Sequence, residues 1–206
     1  MLKKLLLSLI LVSALSHVAQ AEVGRLILIE GGQPTSTIVV PENPGRWTQK
    51  AAAWLQEYVQ KVTGAKLPVV REDSAPEGTL VSVGHTKMAV AAGMDASGLK
   101  FDGCKLMVKG SVLYLFGRDD PKLDTYFAAG DGSPIQLTDW VGARGTCRAV
   151  IKFLEDYCGV RWFLPGPQGE LVPPAETISV AGDLDQIFQP AFAYNDNRSP
   201  YDENIL

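Results

Sequence analysis

The chain has 206 residues, a formal charge of −4 and a mean hydropathy of +0.05. That acidic balance, with no basic stretch downstream of the first residues, excludes a nucleic-acid binder, whose phosphate contacts need clustered Lys and Arg. Two histidines and three cysteines without a CxxC argue against a structural zinc site, and no cofactor or metal is expected.

Lys3 and Lys4 precede an apolar run from Leu5 to Val12, and Ala19-Gln20-Ala21 follows with the small-x-small pattern of a signal-peptidase site. The run is too short for a helix to cross a hydrocarbon core of roughly 30 Å. Residues 1–21 are therefore expected to be a cleaved secretory signal and the mature chain to start at Glu22, outside the membrane, secreted or periplasmic. Loss of Lys3 and Lys4 lowers the basic count from 19 to 17 and moves the formal charge from −4 to −6. The remaining residues suit one domain with its own core. They fall short of a (β/α)₈ barrel, which needs roughly 200 residues or more.

Along the mature chain, Arg25–Glu30 and Ser36–Val40 are β-prone runs separated by Gly31-Gly32-Gln33-Pro34. From Trp47 to Val62 the period becomes helical. Ala51, Leu55, Tyr58, Val59 and Val62 form one stripe, and Gly64 stands where a left-handed C-cap is easiest. Leu67–Val70 and Thr79–Val83 predict short strands, and Lys87–Ala92 a short helical turn. Lys105–Val108 and Val112–Phe116 predict a hairpin about Gly110. Arg118–Gly142 is polar and aperiodic and reads as a long surface loop, carrying Asp119-Asp120 and the isolated Trp140. A second amphipathic helix is predicted over Gly145–Tyr157, with Thr146 as N-cap and Gly159 as its stop. Short strands follow at Val160–Phe163 and Thr177–Val180, and the polar stretch from Asp183 to Leu206 reads as a linker.

These elements predict an α+β fold: a two-layer sandwich of seven or eight mostly antiparallel strands, with two main helices on one face. Cys147 and Cys158 would stand near the two ends of one helix, about 16 Å apart at 1.5 Å per residue, too far to bridge. Either Cys104 pairs with one of them, or all three are buried thiols.

The second helix carries a resemblance. Residues 145–166, GTCRAVIKFLEDYCGVRWFLPG, resemble the GTxYAVxxFLExxxGxRWFxPG block in the N-terminal domains of large glycoside hydrolases, among them the α-glucuronidases and β-N-acetylhexosaminidases. Gly169–Pro173 (GELVP) resembles the GExVP that closes the block. Upstream, Ala51–Tyr58 (AAAWLQEY) and Thr63–Val70 (TGAKLPVV) are similar to an AAxxLQxY helix followed by TGAxLPV. Arg148 departs from the pattern, standing where an aromatic is usual. The resemblance implies a non-catalytic accessory domain, residues 22–182, of about seven strands and two helices. The catalytic carboxylates would belong to a following (β/α)₈ barrel, towards which Pro190–Tyr194 resembles the lead, with residues 183–206 as the link. The expected partner is such a catalytic domain, in the same chain or separately encoded.

Candidate chemistry within the chain is sparse, and no catalytic, cofactor-binding or metal-binding residue is assigned. Asp119, Asp120 and Glu170 are the carboxylates open to a glycosidase pair, against the ordinary reading of turn formers. His85 is read as a helix-start or surface residue, with no partner near it in sequence. The resemblance makes Trp162 and Phe163 core fillers and Arg161 a cap or ion-pair partner, the competing reading being an aromatic platform for sugar. Trp47 and Trp54 read as packing groups, and Trp140 as a contact surface. Gly142–Thr146 before a helix superficially invites a phosphate but lacks the P-loop lysine. A stand-alone polysaccharide- or protein-binding module is the alternative to the accessory domain.

Overall fold

The computed structural model describes residues 24–120 and 143–191. The expected signal at residues 1–21, Trp140 with most of the expected long loop, and the last part of the tail lie outside the described residues.

Three sheets and two long helices form the domain. Strands β1 (Arg25–Glu30), β2 (Gln33–Pro34) and β10 (Ile178–Ala181) make a small antiparallel sheet in the order β10-β1-β2. The main sheet has six strands in the order β11-β6-β7-β5-β3-β4. They are β3 (Ser36–Val40), β4 (Val69–Arg71), β5 (Thr79–Val83), β6 (Cys104–Lys109), β7 (Val112–Gly117) and β11 (Asp185–Phe188). A two-stranded hairpin, β8 (Arg161–Trp162) with β9 (Glu170–Leu171), stands apart.

Helix α1 (Arg46–Thr63) crosses from β3 to its parallel neighbour β4. Its apolar stripe buries Ala51, Leu55, Val59 and Val62. It ends at Gly64, whose φ of 76° lets its N–H reach the Gln60 carbonyl, a conformation that costs glycine no Cβ clash. Helix α3 (Gly145–Tyr157) buries Val150, Phe153 and Leu154 beside α1, over the same face of the sheet. Between the two helices and the sheet lies the main core, to which the strands contribute Ile38, Val81, Val83, Leu106, Leu113 and Leu115.

The expected α+β class, with two main helices on one face, is what the structure shows. Its strand directions differ in one respect. Over all three sheets the antiparallel pairings predominate, but β7, β5, β3 and β4 run parallel from the middle of the main sheet to its β4 edge. Parallel neighbours need a crossover, which α1 makes between β3 and β4, while the short helix α2 (Lys87–Ala91) carries the chain from β5 past the position of β7 to β6. Burial on both faces follows. Tyr114 and Phe116 of β7 point away from α1 and α3 into a second cluster with Ala89, Met94 and Leu99, so a partial third layer covers the far face.

The tail reading also needs correction. Asp185–Phe188, expected within a linker starting at residue 183, is the edge strand β11. It pairs antiparallel with β6 from Asp185 opposite Met107 to Phe188 opposite Cys104, with the Lys105 ammonium 2.9 Å from the Asp185 carboxylate. The domain therefore extends past residue 182. Cys104, Cys147 and Cys158 are all free and buried, and burial pushes each thiol up to about 12.

Candidate functional site

Two groups of polar side chains lie near the two ends of α3.

The first lies where β5 and β7 end and α3 begins. Gly117 and Gly145 touch backbone to backbone. A Cβ on Gly117 would come within 1.9 Å of the Gly145 carbonyl carbon, so neither position has room for a side chain. This crossing brings Arg118 and Asp119 against the start of the helix. Asp119 accepts a hydrogen bond from the Thr146 N–H at 2.9 Å and a second from the Thr146 hydroxyl. Asp102 accepts the Arg144 N–H at 2.7 Å. Thr146 is thus inside the helix, fully buried, and the first N–H groups are satisfied from elsewhere in the chain, those of Arg144 and Thr146 by carboxylates and that of Gly145 by the Arg118 carbonyl. The expectation of Thr146 as N-cap is corrected: the helix starts two residues earlier than a threonine cap would place it. The phosphate reading of residues 142–146 weakens for the same reason, since protein carboxylates already occupy that helix end.

His85 reaches this end of the sheet. Its Nε2 is 2.8 Å from the Gly117 carbonyl and 3.6 Å from Asp119 Oδ2, with the ring tilted against Phe116 at 4.3 Å. A carbonyl oxygen can only accept, so Nε2 carries the hydrogen. Sequence reading found no partner for His85, because Asp119 lies 34 residues on and is delivered by the β7 terminus. The set does not form a nucleophile–base–carboxylate relay. Thr146, the hydroxyl at hand, bonds directly to the carboxylate rather than to the imidazole, and is shielded from solvent.

The second group lies past the C-terminus of α3. Trp162 Nε1 donates to the Tyr58 hydroxyl at 2.9 Å, and that hydroxyl donates to Glu170 Oε1 at 2.6 Å. Lys61 stands 3.3 Å from Glu170 Oε2 and 2.8 Å from Glu57. The Tyr58 and Trp162 rings meet edge to face, 5.1 Å between centroids. The Tyr58 hydroxyl and the Lys61 ammonium hold the Glu170 carboxyl below its ordinary value, while burial, and then the Glu170 bond, raise Tyr58. Arg161 donates to the carbonyls of Glu155 and Val160 and so caps the last turn of α3, as one of its two expected roles required.

Asp119 and Glu170 therefore lie near opposite ends of a 13-residue helix that is about 20 Å long at 1.5 Å per residue. A glycosidase pair needs roughly 5–9.5 Å. Among the described residues no group of three or more His, Cys, Asp or Glu side chains could hold a metal ion, and no helix is long and apolar enough to cross a membrane.

Trp47 and Trp54 are engaged in packing. Trp47 is 8% exposed, with the Arg144 guanidinium 4.4 Å above its ring, and the Lys50 ammonium lies 5.3 Å from Trp47 and 4.9 Å from Trp54. Phe163 departs from expectation. Read as a core filler, it is 70% exposed, with Leu164 at 69%. Trp162, the last residue of β8, packs against the main core, and Phe163, at the bend that follows, does not.

No family model matches the sequence, and no curated protein matches it. Among solved structures the chain is similar to a family GH115 4-O-methyl-α-glucuronidase with specificity for decorated arabinogalactans, at 17% identity and a TM-score of 0.49. It is also similar to CpGH84D, at 14% identity and a TM-score of 0.36. Each alignment covers 82% of this chain but only 19% and 24% of the other, so the chain spans about a fifth to a quarter of the length of those it resembles.

Proposed function

We propose that this chain is a secreted, non-catalytic accessory domain of a carbohydrate-active glycoside hydrolase of the α-glucuronidase and hexosaminidase kind, serving a (β/α)₈ catalytic domain. One observation carries the reading. The segments that carry the sequence resemblance, far apart in the chain, converge on one packing unit. Tyr58 of the AAAWLQEY segment bonds Glu170 of GELVP and receives Trp162 of the RWF segment. Gln56 of the first segment donates to the carbonyl of Leu67 in TGAKLPVV at 2.6 Å. The resemblance is thus explained by the needs of a folded scaffold. Of the carboxylates it could lend to catalysis, Asp119 is engaged by donors at the head of α3 and Glu170 by Tyr58 past its other end.

Purified chain is expected to fold and to leave aryl glycosides, glucuronoxylan oligomers and hexosaminides unhydrolysed; turnover above a heat-inactivated control would overturn the reading. Mixing with a separately produced catalytic barrel from the same genome tests the partner. Secretion is tested by N-terminal sequencing of exported protein, which is expected to begin at Glu22.

A further inference from the structure

We draw no further inference here: the strongest candidate, the exposed apolar tip formed by Phe163 and Leu164 beside Leu171 on the β8–β9 hairpin, carries nothing because nothing in the structure shows what covers it.

Discussion

Tyr58 and Glu170, 112 residues apart, share a 2.6 Å hydrogen bond that closes the β8–β9 hairpin onto α1. The same hydroxyl accepts from Trp162, so its removal strands two groups at once. Tyr58→Phe is expected to cost about 1–3 kcal/mol, since a half-buried indole N–H and a carboxylate lose their partner together. The midpoint of urea unfolding measures it, and an unchanged midpoint would show that the bond contributes nothing.

Glu170 gives this network a pH dependence of known sign. Its carboxyl lies below the ordinary 4.5 in the folded chain, chiefly through the Tyr58 hydroxyl. As the pH falls, the unfolded chain takes up this proton before the folded one does. The stabilisation is therefore fully present above about pH 4.5 and is lost as the pH drops through the lower folded value. Glu170→Gln is expected to lower stability near neutral pH and to converge with the parent in acid. A stability difference that stayed constant between about pH 7 and pH 3 would contradict the assignment.

Asp119 performs a different task at the other end of α3. Asp119→Ala leaves the Thr146 N–H and hydroxyl without their acceptor, at an expected cost of about 1–2 kcal/mol. Asp119→Asn keeps one acceptor oxygen and is expected to recover part of that loss. Denaturant titration of both variants separates the helix-cap role from a purely electrostatic one.

The backbone crossing at Gly117 and Gly145 makes a sharper prediction. A methyl group at Gly117 would overlap the Gly145 main chain, where no side-chain rotation can relieve it. Gly117→Ala is expected to destabilise by about 4 kcal/mol or more, in the range reserved for few mechanisms. Gly98→Ala, with open space around its Cβ, serves as the control and is expected to change stability by no more than about 0.5 kcal/mol.

Two phenylalanines ten residues apart, Phe153 and Phe163, should behave oppositely. Phe153 is 1% exposed, and Phe153→Ala is expected to cost about 3–5 kcal/mol through lost burial and the cavity left behind. Phe163→Ala is expected to leave folding stability within about 0.5 kcal/mol. The three buried thiols add a simple check. At about pH 8 they are expected to resist an aromatic disulfide reagent in the folded protein and to react, all three, once it is unfolded.

Much of the fold was legible because period and punctuation agree. The strands Arg25–Glu30, Ser36–Val40 and Thr79–Val83 and the helix Gly145–Tyr157 have the bounds that their composition indicates. The short pieces were not legible. Strands β2 and β9 have two residues each, and β11 is mostly exposed, so none carries enough apolar alternation to mark it. The parallel pairing of β5 with β7 did leave a trace: Leu80–Val83 and Leu113–Phe116 are buried on both faces, as continuous rather than alternating runs imply.

The amino-acid sequence alone determined the helices, most strands, the acidic balance and which side chains had to leave water, because these depend on residue chemistry at short range. Tertiary structure decided the partners: Asp119 at the head of α3, His85 beside the end of β7, Tyr58 against Glu170, and Phe163 turned outward. Each of these depends on where distant strands come to rest, which is set by packing of the whole core rather than by any local period. The engagement of Asp119 and Glu170 near opposite ends of α3 belongs to that second kind of fact.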